Sequence, residues 1–309
     1  MNICAVSSAR IAYKIYGGSS SSGATIVIDT GIASCSAEWW AVAERLKSIC
    51  RVLVYDRPGY GQSSLSQKER TPENIALELD ELLAALGIQE NIVLIGHSQG
   101  GFYAAQFALM FPQKIKALIL LDPATPFDDE FQQKLLPDEY KSSGVDKTQN
   151  FKLALSLTSL KLGFLFKPML AKAPPFCYTD FPKETKEYLL SSCCKKPTYI
   201  TALSEYKYTH LASTTQFLTD GIANHSLGSI PVFLLTHSSR IYIEELKEYG
   251  RMRTDVAEKI ETLWQEIMLR FLSLSVNSRH RIASNSGHYI HLTDCALLET
   301  NIKSIFGII

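Results

Sequence analysis

The sequence predicts an α/β fold, a mostly parallel sheet with helices on both faces, and three observations predict it. Short apolar runs at 24–29, 51–55, 91–95, 117–121 and 231–235 read as buried strands. Segments of helical period separate several of them, and strands alternating with helices build a parallel sheet. The run at 91–95 leads through Gly96-His97-Ser98-Gln99-Gly100 into a helical segment, so a sharp strand–turn–helix joint sits in mid-chain.

Taken in order, residues 3–6 and 10–16 alternate apolar and polar, the pattern of an opening antiparallel hairpin. The serines at 19–22, with glycines on both sides, predict a surface loop. A strand at 24–29 precedes a helix at 37–47. The strand at 51–55 ends in the turn Asp56-Arg57-Pro58-Gly59-Tyr60-Gly61. Thr71-Pro72 opens the next helix as N-cap and first-turn proline. Ile75, Leu79, Leu82, Leu83 and Leu86 form its apolar face, and Gly87 stops it. The strand at 91–95 and a helix over 101–110 follow, then a strand at 117–121.

From Ala124 to Ser229 the alternation gives way to helices rich in Leu, Phe and Tyr, punctuated by prolines. Strand signals resume at 231–235. Val256, Ile260, Leu263, Trp264, Ile267, Met268, Phe271 and Leu272 share one helical face, and a strand at 281–283 and a helix near 294–306 end the pattern. The predicted organisation is a sheet core over 1–123 and 230–309, interrupted by a helical cap at 124–229.

Lys+Arg and Asp+Glu balance at 31 each in 309 residues, which gives no overall electrostatic case for nucleic acid or an anionic surface. The first ten residues lack a basic stretch followed by a long apolar run, so no export signal is expected. Seven cysteines then read as reduced thiols in a cytoplasm. The most apolar segment, 153–166, is short and broken by Lys161, which argues against stable membrane insertion. No C-x-x-C or H-E-x-x-H spacing points to a metal, and no cofactor is expected.

Chemistry centres on Ser98. Strand, G-x-S-x-G and helix make a nucleophile elbow, a turn that lifts a serine hydroxyl clear of the sheet. A serine needs a general base, and ligands gather at the carboxyl ends of parallel strands. Ser286-Gly287-His288 follows the last strand by a few residues, so His288 is the expected base and His291 its alternative. The remaining histidines read as surface or packing residues. A carboxylate must hold the histidine tautomer. No acid directly follows the strand at 231–235, whereas the strand at 117–121 ends in Asp122-Pro123. Asp122 is therefore the expected acid, with Glu244 the alternative. Backbone N–H groups of Gln99 and of Ile32, in the loop after 24–29, are the expected oxyanion donors.

The motifs G-H-S-Q-G-G at 96–101, D-R-P-G-Y-G-Q-S at 56–63 and S-G-H-Y-I-H at 286–291 together resemble the α/β-hydrolase superfamily. That resemblance implies an eight-stranded, mostly parallel sheet with a helical cap inserted after the strand ending at Asp122. Thr30-Gly31 stands where the family usually has His-Gly, and some members carry the acid at the position matching Asp122. The serine argues against dehalogenase and epoxide hydrolase chemistry, which use an aspartate nucleophile.

The expected activity is hydrolysis of an ester or related acyl bond in a small, hydrophobic substrate, through an acyl-enzyme on Ser98. Phe151, Leu155, Leu162, Phe164, Leu165 and Phe166 form an apolar cap segment expected over the site. An exposed face there would instead suit contact with lipid. Two other readings use the same fold: an acyltransferase or lactone-forming enzyme, and a non-hydrolytic ligand sensor. Product analysis with a competing alcohol separates the first, and binding without turnover identifies the second.

Overall fold

The computed structural model describes residues 1–18 and 23–308, so the serine loop expected at 19–22 lies outside the described residues. Eight strands, β1 (Asn2–Ala5), β2 (Arg10–Tyr16), β3 (Thr25–Asp29), β4 (Arg51–Tyr55), β5 (Ile92–His97), β6 (Ile115–Leu121), β7 (Val232–His237) and β8 (Ser278–Ala283), build one sheet. Its order is β1-β2-β4-β3-β5-β6-β7-β8. The opening hairpin is antiparallel, β2 pairs antiparallel with β4, and every later pairing is parallel.

The helices follow as α1 (Trp40–Leu46), α2 (Pro72–Ala85) and α3 (Gln99–Met110). Between β6 and β7 come α4 (Asp129–Lys134), α5 (Pro137–Ser142), α6 (Thr148–Ser159), α7 (Lys167–Leu170), α8 (Lys183–Cys193), α9 (Lys196–Thr209) and α10 (Ala212–Ala223). The chain then adds α11 (Ser239–Glu248), α12 (Thr254–Met268), α13 (Ile290–Thr293) and α14 (Cys295–Ile305). The helix expected at 37–47 is divided: a 3₁₀ turn over Ser36–Trp39 precedes α1. The Ser36 N–H is held by Asp56 Oδ1 at 2.8 Å, which fixes the tighter turn. Among the described residues no helix is long and apolar enough to cross a membrane.

Side chains leave a strand on alternate faces, and here that alternation divides the core in two. Val27, Leu94, Leu118 and Leu234 meet α2, α3 and α12 on one face. Ile26, Ile28, Val93, Ile95, Ile119 and Leu235 meet Trp39, α1 and α14 on the other. The insertion is anchored at both ends in the first of these layers, through Phe131 and Leu135 early and Leu218 and Ile222 late.

Two glycines let α3 press onto the sheet at the joint. A Cβ on Gly96 would lie 2.4 Å from the Gly100 carbonyl oxygen, and one on Gly100 only 2.3 Å from that of Asp29. Both obstacles are backbone, so neither yields by rotating a side chain. Gly100→Ala is expected to cost about 1–3 kcal/mol through overpacking, measured as a lowered urea midpoint at unchanged slope.

Candidate active site

Ser98 sits between β5 and α3 with φ 53° and ψ −124°, a left-handed strained conformation for a residue with a Cβ. Its N–H donates to the Leu121 carbonyl at 3.0 Å, and its own carbonyl accepts from Gly101 at 2.9 Å and Ala124 at 2.8 Å. The turn is thus stitched to the end of β6, where Asp122 stands. Asp122 is itself left-handed, at φ 47°. Its N–H donates to the Leu235 carbonyl at 2.9 Å, which directs the side chain along the carboxyl edge of the sheet.

His288 enters from the loop after β8, and its Nδ1 lies 2.7 Å from Asp122 Oδ2. The structure thus joins His288 to Asp122 directly and leaves the His288 side chain partly exposed. The Ser98 hydroxyl has no hydrogen-bond partner among the described residues; unliganded serine–histidine sites are commonly loose and tighten on substrate. Glu244 is exposed and pairs with Lys247 at 2.8 Å, away from either histidine. His291 is fully buried, stacked on Trp39 at 4.0 Å and bonded through Nε2 to Glu38 Oε1 at 2.9 Å. That leaves it no route to a reacting serine.

Two of the other histidines, His237 and His97, are packed and also hold polar contacts to Asp122 and His288. His237, the last residue of β7, is completely buried between two carboxylates. Its Nδ1 lies 2.7 Å from Asp122 Oδ2 and its Nε2 2.9 Å from Glu261 Oε2 on α12. Its backbone N–H also donates to Asp122 Oδ1, at 3.0 Å. Ionised carboxylates only accept hydrogen bonds, so a ring bridging two of them carries a proton on each nitrogen. Burial opposes that charge, but Asp122 and Glu261 outweigh it and hold the His237 pKa at about 10. Burial likewise disfavours ionised Asp122, yet His237 first and His288 second keep it well below the usual carboxylate range. Tyr242 and Trp264 flank the His237 ring, with centroids 4.0 and 4.1 Å away.

His97, inside the elbow, donates from Nε2 to the His288 carbonyl at 2.9 Å, and their rings lie 4.7 Å apart. It therefore supports the His288 backbone. Burial, then the neighbouring His291 and His288, push its pKa well down, so it stays neutral.

The loop after β3 approaches the serine through Gly31, where a Cβ would meet Ser98 Cβ at 3.5 Å. Buried Arg57, from the D-R-P-G turn, organises this loop. Its guanidinium donates to the Thr30 carbonyl, to the Gly31 carbonyl at 3.1 Å, and to Asp29. It also meets Glu205 of α9, in the segment inserted between β6 and β7, Nε to Oε1 at 3.1 Å and Nη2 to Oε2 at 3.1 Å. Tyr60 also donates to Glu205, at 2.8 Å. A trans peptide points its C=O and N–H in opposite directions, so drawing the Gly31 carbonyl toward Arg57 turns the Ile32 N–H the other way. Neither the Ile32 nor the Gln99 N–H has a hydrogen-bond acceptor among the described residues.

The apolar segment at 151–166 departs from expectation in part. Phe151 and Phe166 turn inward onto Tyr199, with centroids 6.4 and 6.3 Å away. Phe164 and Leu165 turn outward and are more than half exposed. A run of apolar letters cannot reveal this division, because the segment breaks from α6 into a 3₁₀ turn over Gly163–Phe166.

Residues 24–189 match the family described as alpha/beta hydrolase fold, more than half of the chain, and the protein belongs to that family. An AB hydrolase superfamily protein of Gibberella zeae is 22% identical over 297 residues, 92% of this chain and 86% of that protein. The Abhydrolase domain-containing protein abhd-5.2 of Caenorhabditis elegans is 34% identical over 115 residues. That stretch is 36% of this chain but only 26% of the relative's length. In three dimensions the chain is similar to a thermophilic esterase from Thermogutta terrifontis, at TM-score 0.64 and 18% identity. The similarity covers 98% of this chain and 97% of the esterase, and at that identity it speaks to the fold alone. The eight-stranded, mostly parallel sheet and the family membership expected from the motifs are both borne out.

Proposed function

We propose that this α/β hydrolase is a serine hydrolase that cleaves a carboxylic ester or related acyl bond of a small hydrophobic molecule. The observation that carries the reading is the 2.7 Å pairing of His288 with Asp122 at the sheet edge where Ser98 is held left-handed. Ser98 attacks the substrate carbonyl while His288 accepts its proton. The ionised Asp122 keeps the proton on Nδ1, leaving Nε2 as the base, and stabilises the imidazolium that forms. The N–H groups of Ile32 and Gln99 receive the oxyanion. His288 then protonates the departing alcohol, and water attacks the acyl-serine by the same route in reverse. Residues 1–123 and 230–309 serve as the hydrolase core and 124–229 as the cap, whose inward-facing Phe151 and Phe166 favour apolar acyl or alcohol groups.

A fluorophosphonate probe tests the assignment. Wild type is expected to take up one equivalent on Ser98, and persistent labelling of Ser98→Ala would contradict the reading. A graded series of p-nitrophenyl esters then ranks acyl length. Glu244→Gln is expected to keep full esterase activity and to shift stability by less than about 0.5 kcal/mol, as exposed substitutions do; kcat and a thermal melt measure both.

A further inference from the structure

The balanced charge of the whole chain conceals a strongly one-sided segment. Residues 148–179 hold four lysines, Lys152, Lys161, Lys167 and Lys172, and no Asp or Glu. All four are exposed, and the lysine ion pairs of the described residues involve none of them. The same segment carries Leu153, Leu160, Phe164, Leu165 and Met169, which are 56–69% exposed. On α6 the outward positions 152, 153, 156, 159 and 160 follow helical spacing, so Lys152, Leu153 and Leu160 share one face. Next along the chain, Phe164 and Leu165 in the 3₁₀ turn and Met169 in α7 are also exposed. The inner side of the segment is packed: Ala154 and Thr158 are buried, and Phe151 and Phe166 rest on Tyr199.

From this arrangement we propose that the outer edge of the cap, α6 to α7, docks on an anionic lipid surface. Leu153, Leu160, Phe164, Leu165 and Met169 enter the headgroup boundary and the four lysines contact lipid phosphates. Exposed apolar residues interspersed with lysines are the pattern of a segment that lies in an interface rather than crossing it. The charge selects among occupants of the patch. A two-fold pairing of two copies through this segment would set lysines against lysines with no carboxylate in either copy's 148–179 stretch, whereas a lipid surface supplies the missing anions. Docking does not depend on the Ser98 reading, since binding is measured without turnover.

The test is co-sedimentation of the full chain with phosphatidylcholine vesicles, with and without 30% phosphatidylserine, at about 0.1 M salt, where exposed charges are only partly screened. Binding is expected to be at least about tenfold tighter to the anionic vesicles, at roughly fivefold per lysine engaged, and to weaken as salt is raised. Two variants are read beside wild type, with thermal melts to verify folding. Leu160→Ser/Phe164→Ser/Leu165→Ser tests insertion, and Lys161→Gln/Lys167→Gln tests charge. Each is expected to weaken binding by about tenfold or more. Equal binding to neutral and anionic vesicles, no binding to either, or binding unaffected by both folded variants overturns the proposal. So does a dimer by light scattering that the triple variant converts to monomer, because the face then serves a second copy.

Discussion

Asp122→Asn is expected to lower kcat for ester hydrolysis by about 10⁴, the loss seen when a triad carboxylate becomes an amide and the histidine takes the wrong tautomer. Here the carboxylate has two dependants. Its Oδ2 lies 2.7 Å from both His288 Nδ1 and His237 Nδ1. Removing its charge therefore disorients the base and leaves the buried His237 imidazolium with Glu261 as its one remaining carboxylate, so the stability cost is expected to be part of the about 3–5 kcal/mol that losing a sole buried partner costs. The variant should combine a kinetic defect with a clear drop in melting temperature. Loss of activity with unchanged stability would mean that His237 does not need the Asp122 charge.

The sign of the pH dependence follows from the same cluster. Folded His237 titrates near 10, while an unfolded histidine titrates near 6.5. The stability it contributes is fully present below about pH 6.5 and is lost as pH rises through about 10. Urea unfolding of wild type between pH 7 and pH 10 should therefore show a fall that His237→Gln largely lacks. Parallel curves for the two proteins would place the proton elsewhere.

Ser98→Ala carries the other large effect, a loss in kcat of about 10⁶ if the three residues act as one unit. Stability should barely change, because Ala and Ser both carry a Cβ at φ 53°. Ser98→Gly is the informative companion: it should be equally inactive yet more stable by about 1 kcal/mol, since glycine adopts that conformation without strain. Melting temperatures of the two variants measure the difference. A Gly variant no more stable than the Ala variant would mean that the elbow stores no strain.

The sheet was legible because its cause is local: a strand buried on both faces must be apolar, and the helices between must show a period. Ser98, Asp122 and His288 were legible for a related reason, since each lies just beyond a strand's carboxyl end. His237 ends β7 in the same way and met the same criterion. A histidine there carries no signal by itself, because its role depends on the carboxylate standing at Asp122 on the neighbouring strand. Glu261 left a fainter signal, a charge beside the apolar stripe of α12 and nonetheless buried. Glu205 gave no signal at all: its partner Arg57 is 148 residues away, and only the fold brings α9 and the turn after β4 together. The outward turn of Phe164 and Leu165 was equally hidden, because a 3₁₀ turn resets which residues share a face.

Whether catalysis passes through an acyl-serine is decided most directly by rapid quenching during turnover of a short p-nitrophenyl ester, followed by mass analysis of the intact chain and its peptides. The structure predicts a burst of p-nitrophenol matching the enzyme concentration and an acyl mass increment on the peptide containing Ser98. Turnover with no covalent species under conditions that give a burst, or an increment on any residue other than Ser98, would contradict it.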